Sequence, residues 1–156
     1  MHSLAAWKKA NGPDSRVAYD EQLAKLVCDT SPDLVVLAGW MLILSPGFLT
    51  ALVHAESGRP IPIINLHPAL PGQFPGAHAI QDAFEAFKQG KVDKTGVMIH
   101  KVIPELDAGE PLVVREVAIE QGDSIEALEE RIHATEWKAI VEAVHVVVRK
   151  INEGTY

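Results

Sequence analysis

The chain has 156 residues, 47% of them apolar, which suits one globular domain with a sizeable core and excludes a disordered chain. Its formal charge of −7, with acidic residues scattered along the sequence, argues against a general nucleic-acid binder, which needs a basic face to gain from counterion release. The single cysteine, Cys28, excludes an internal disulfide framework, and no apolar run nears the ~20 residues of a membrane span. With no signal-peptide pattern at the start, a soluble cytoplasmic protein is expected.

Taken in chain order, the first fifteen residues have no clean period and end in the turn-forming Asn11-Gly12-Pro13-Asp14. Leu23, Leu26 and Val27 are spaced for a helix from about Ala18 to Cys28. Leu34–Ala38 is a continuous apolar run, the pattern of a strand covered on both faces. Ser45 and Pro46 form an N-cap and first helical position for SPGFLTALVH. IPIINLH reads as a second buried strand, and a helix over His78–Lys88 ends at Gly90, where a terminating glycine belongs. KTGVMIHKVI and PLVVREVAIE read as two strands around the turn-rich ELDAGE, extending the sheet. The last element is a long helix. Asp123–Glu126 is a capping-box candidate, and Ile125, Leu128, Ile132, Ile140, Val144 and Val147 or Val148 mark its apolar stripe. No repeat, low-complexity tract or linker interrupts the chain. The expected architecture is a single α/β domain over residues 1–156, three layers thick. Its sheet would be mostly parallel, with an antiparallel extension and a long C-terminal helix.

Ligand sites in such folds lie beyond the carboxyl ends of strands, which is where INLHPALPGQFPGAHA begins. In an extended strand Asn65 and His67, two residues apart, project from the same face. An amide and an imidazole side by side suit an oxyanion: the amide donates, and a protonated ring donates or passes a proton. The plainer reading is that Asn65 caps the turn and His67 bonds a loop carbonyl. Pro68 restricts His67 to extended geometry under either reading. Asp107, in PELDAG, either bonds neighbouring backbone groups or meets His67, where its carboxylate would stabilise an imidazolium. Counting Ile132, Glu136 and Ile140 by fours puts a carboxylate on the apolar stripe, with His133 beside it. Such a charge must pair with Arg or Lys inside the fold or receive a ligand amine or hydroxyl.

The other histidines read as structural: His78 as a cap, His100 on a strand face with Met98, and His2, His54 and His145 at the surface or in packing. Cys28 reads as packed. His67, His78, His100 and Asp107 could together approach a metal, but H-x-x-x-H and H-E-x-x-H spacings are lacking, so no metal is expected.

Several separated motifs, in order, resemble the folate-dependent formyltransferases. They are Asn65-Leu66-His67-Pro68, Pro75-Gly76 with His78, and Leu106-Asp107-Ala108-Gly109. Asp14-Ser15-Arg16 with Ala18-Tyr19-Asp20, Leu37–Leu44, Gly122-Asp123-Ser124 and Thr135-Glu136 add support. The resemblance covers about Asp14 to the end of the last helix. It implies transfer of a formyl group from 10-formyltetrahydrofolate, the co-substrate, to the amine of glycinamide ribonucleotide in purine biosynthesis. Asn65, His67 and Asp107 match the family's catalytic trio. Arg16, Met41, Leu42, Ile43, Leu44, Asn65, Ile103, Pro104, Glu105, Leu106 and Asp107 match folate-binding positions, with the pterin held largely by backbone groups of Met41–Leu44. His133 and Glu136 match ribonucleotide contacts.

One departure stands beside these matches. No Gly-x-Gly turn follows a strand anywhere in the sequence, so the family's N-terminal strands and phosphate-cradling turn are expected to be missing. Weak ribonucleotide binding and self-association through an exposed sheet edge would follow. The alternatives are a formyltetrahydrofolate hydrolase, a relative of methionyl-tRNA formyltransferase, or an inactive folate-binding fragment.

Overall fold

A computed structural model describes residues 3–54 and 59–156, in which five helices and four strands follow one another. His2, read as a surface or packing residue, lies outside the described residues. Contacts cluster in two compact units: residues up to Val35 with Leu42–Pro62, and Val36–Met41 with Ile63–Tyr156. Among the described residues no helix is long and apolar enough to cross a membrane.

The first unit holds α1 (Leu4–Asn11), α2 (Arg16–Asp29) and α3 (Pro46–Val53). Helix α1 replaces the irregular start expected from the sequence. It carries no buried residue, so it has no apolar period to find. Its signals are at its ends: Ser3 accepts from the Ala6 amide, Lys8 and Lys9 occupy the last turn, and Gly12 follows at φ +93°. Trp7 meets Tyr19 edge to face at 5.8 Å and donates its indole N–H to the Ser15 carbonyl, tying α1 to α2. Helix α3 starts as its sequence requires, with Ser45 Oγ accepting from the Phe48 amide and Pro46 in the first turn. Phe48 and Leu52 bury its inner face.

The second unit is built on a sheet of order β1-β2-β3-β4, from β1 (Val35–Leu37), β2 (Ile63–His67), β3 (Lys94–Lys101) and β4 (Pro111–Ala118). The sheet is mixed rather than mostly parallel: β2 pairs antiparallel with β3, and β3 antiparallel with β4. Strand–helix alternation suggested parallel crossovers, but residues 68–78 separate β2 from α4 (Ala79–Lys88), longer than the usual βα loop of about 2–6 residues. The long loop followed by α4 brings the chain back beside β2 in the opposite sense. Strand β1 also departs from expectation, since Val36 is 39% exposed instead of covered on both faces. Strand β3, one of the two interior strands, is buried from Thr95 to His100.

Helix α5 (Ile125–Asn152) packs on β3 and β4 and against α4. Its cap is Ser124, which accepts from the Ala127 amide. Asp123, which opens the proposed box, therefore lies one position before the observed cap. It forms a two-pronged pair with Arg131 at 2.9 and 3.0 Å, which lowers its pKa to about 2. The buried line runs through Leu128, Ile132, Ala139, Ala143 and Val147, not through Ile140 and Val144. At about 100° per residue, counting by fours drifts about 40° per step, so the expected stripe walks off the core after Ile132.

Candidate active site

The site residues of the second unit are placed by strand register. Asn65 lies opposite His100 and His67 opposite Met98, so these four side chains share one face of the β2–β3 pair. The other face carries Ile64, Leu66 and Ile99. Asn65 and His67 thus project together as the i, i+2 spacing requires, and the register adds His100 as their neighbour.

Asp107 comes to this face on the β3–β4 connection. Its backbone adopts φ +50°, a conformation that costs a non-glycine residue free energy and persists only where the surroundings hold it. Two features hold it. The Gly76 amide donates to Asp107 Oδ2 at 2.9 Å, anchoring it to the proline-rich loop after β2. Gly109 presses so closely on β3 that a β-carbon there would lie 1.7 Å from the Lys101 carbonyl oxygen. Only glycine permits that approach. The stiff loop with Pro68, Pro71 and Pro75 therefore holds a carboxylate as well as itself. It also forms one wall of a cleft of about 420 Å³ that Met98, Leu106 and Asp107 help to line.

The carboxylate is shared. Its Oδ2 lies 3.6 Å from His67 Nδ1, and its Oδ1 lies 3.5 Å from Asn65 Nδ2 and 3.6 Å from His100 Nε2. His100 Nδ1 is 2.8 Å from the carbonyl oxygen of Lys101, which can only accept, so this nitrogen carries the proton. The opposite nitrogen then accepts from Asn65 Nδ2 at 3.2 Å. Burial lowers the pKa of His100, against the opposing pull of the Lys101 carbonyl and Asp107, which fits this neutral tautomer. His67 is 3% exposed, and among the described residues its Nε2 has no hydrogen-bond partner.

The structure thus brings together three expected residues, Asn65, His67 and Asp107, and adds His100, which the sequence reading left as structural. Nothing in the sequence pairs position 65 with position 100, so only the register could reveal it. His78 occupies the cap position of α4 without making the expected side-chain cap. Glu136 is half-buried on α5, and among the described residues no Arg or Lys pairs with it. Burial raises its pKa, with His133 opposing. Among the described residues no group of three or more His, Cys, Asp or Glu is arranged to hold a metal ion.

In the first unit, Leu42–Leu44 is held by α2. Arg16, expected to hold substrate, donates through Nε to Asp20 Oδ1 at 2.8 Å and through Nη2 to the Ile43 carbonyl. Ile43 is 63% exposed, while Leu44 is buried.

The sequence profile described as Formyl transferase matches residues 4–144, most of the chain. The chain belongs to the formyl transferase family. It is 51% identical over 149 residues to the phosphoribosylglycinamide formyltransferase of Schizosaccharomyces pombe, covering 95% of this chain and 70% of that protein. It is 49% identical over 138 residues to the protein of the same name from Dictyostelium discoideum, covering 88% and 66%. The crystal structure of phosphoribosylglycinamide formyltransferase from Streptococcus pneumoniae superposes with a TM-score of 0.75 at 36% identity, covering 86% of this chain and 69% of that one. The chain thus spans about two thirds of the length of these formyl transferase relatives.

Proposed function

We propose that this chain transfers the formyl group of 10-formyltetrahydrofolate to the amine of glycinamide ribonucleotide. The observation that carries this reading is the meeting of Asn65, His67 and His100 around Asp107, in a chain of the formyl transferase family. The amine nitrogen attacks the formyl carbon, and the carbonyl oxygen becomes an oxyanion on a tetrahedral carbon. The bond from that carbon to N10 then breaks, N10 takes up a proton and the amine gives one up.

The side chains suit these steps. One N–H of Asn65 is committed to His100, while the other stands at a long 3.5 Å from Asp107 and can turn to the oxyanion. The unpartnered Nε2 of His67 is the group to donate to that oxygen and to pass the proton to N10. Asp107, on the other side of the ring, balances the positive charge that His67 carries while it does so. The backbone of Met41–Leu44 and the segment Ile103–Asp107 are the proposed pterin contacts. Glu136 and His133 are the proposed ribonucleotide contacts. A half-buried carboxylate with no Arg or Lys partner among the described residues suits a ligand hydroxyl or amine better than a packing role.

The test is turnover of 10-formyltetrahydrofolate with and without glycinamide ribonucleotide. Formylated ribonucleotide is the expected product, and His67→Ala should lower kcat by about 10²–10³-fold while the fold is kept. Formyl release to water at the same rate whether or not the ribonucleotide is present would replace this reading with a hydrolase.

A further inference from the structure

We propose that Asp20 is a positioning residue that, with Arg16, sets the backbone of the Leu42–Ser45 loop for folate. The reading rests on the proposed function, which makes that backbone a pterin contact. Asp20 is 0% exposed on α2, a position where an apolar side chain would pack without the cost of stripping water from a charge. What the carboxylate provides is two directed acceptors. Oδ1 takes the Nε proton of Arg16, one turn earlier on the same helix, and Oδ2 takes the backbone amide of Ser45 at 2.8 Å.

The second bond reaches across 25 residues of sequence to the last residue of the loop. Ser45 is also the cap of α3, so one residue is tied to α2 by its amide and to α3 by its hydroxyl. Two residues earlier, the Ile43 carbonyl is held by Arg16 Nη2. Among the described residues, Leu42, Ile43 and Leu44 make no backbone–backbone hydrogen bond. The loop therefore takes its shape from these two side-chain handles, and among the described residues its other peptide groups have no backbone partner. A loop that recognises a flat heterocycle through peptide groups must have them aimed beforehand, because ordering it on binding weakens affinity. Arg16 on this view acts through the Ile43 carbonyl.

The experiment compares Asp20→Asn, Arg16→Gln and the double variant in two readouts. The first is amide hydrogen exchange of residues 41–46. The second is calorimetric affinity for a 10-formylfolate analogue, with KM and kcat measured alongside. Asp20→Asn keeps the shape but loses the charge pairing. It should speed exchange at Ser45 and raise Kd and KM for folate by about 10-fold, with kcat within about threefold. Arg16→Gln should do the same, and the double variant should be no worse than either single change, since both act through one clamp. Unchanged exchange in Asp20→Asn overturns the proposal, as does faster exchange with unchanged folate affinity. Additive losses would overturn it too, returning Arg16 to direct substrate contact. A wild-type chain that binds no folate analogue refutes the folate reading of the loop and the affinity claim together, whereas exchange alone decides whether the clamp shapes the backbone.

Discussion

Asp20 and Asp107 are both covered carboxylates, and they are satisfied differently. Asp20 sits in a regular helix and receives two full-strength hydrogen bonds at 2.8 Å, one from a guanidinium and one from a peptide amide. Asp107 sits on a loop at φ +50° and receives one, from Gly76, while its other neighbours stand at 3.5–3.6 Å. A carboxylate whose acceptor sites are filled holds structure in place. One with loosely engaged neighbours leaves them able to turn to a new oxygen when a substrate arrives.

The contrast can be broken by deleting each in turn. Asp20→Ala leaves a partly exposed guanidinium and a part-buried amide without their shared acceptor. It should cost about 2–3 kcal/mol in urea unfolding, whereas Asp107→Ala should cost about 1 kcal/mol and lower kcat/KM by about 10²-fold or more. Equal stability losses would erase the distinction. A sharper version leaves both carboxylates in place. Gly109→Ala forces a β-carbon onto the Lys101 carbonyl, so the loop must lift and take Asp107 with it. Activity should fall by about 10²-fold, with about 1–3 kcal/mol lost in stability. Normal activity would show that Asp107 does not need its close seat on β3.

The smallest effect concerns a third carboxylate, which has no Arg or Lys partner among the described residues. Burial raises the folded-state pKa of Glu136 above its ordinary 4.5, so the native state holds its proton more tightly than the unfolded chain. Ionisation therefore works against the fold as pH rises from 4.5 through the raised value. Glu136→Gln should raise the melting temperature at pH 7 by roughly 1–3 °C, a gain that vanishes below pH 4.5. It should also raise KM for the ribonucleotide about 10-fold. A variant less stable at pH 7 would mean that the charge is compensated in the folded state.

Much of the architecture was legible because it is written locally. Ser45-Pro46, Ser124 and the glycine after α4 announce helix ends through the hydrogen bonds and dihedrals they favour. The two-residue period of a strand put Asn65 and His67 on one face. Features depending on longer sums were less secure. The α5 stripe needed the true helical angle instead of a count by fours, and α1 had caps but no buried face.

What the sequence by itself determined was the set of parts: an amide and an imidazole locked in extended geometry, an acidic turn between two strands, and motifs of one family in order. Those are statements about neighbours in the chain, and local stereochemistry is enough to make them. The tertiary structure decided which parts meet. Antiparallel pairing set Asn65 against His100, the close approach of Gly109 and the Gly76 amide brought Asp107 to them, and Asp20 found an amide 25 residues away. Pairings of that kind are set by register and packing across the whole fold, and those are properties of the folded chain that no local window contains.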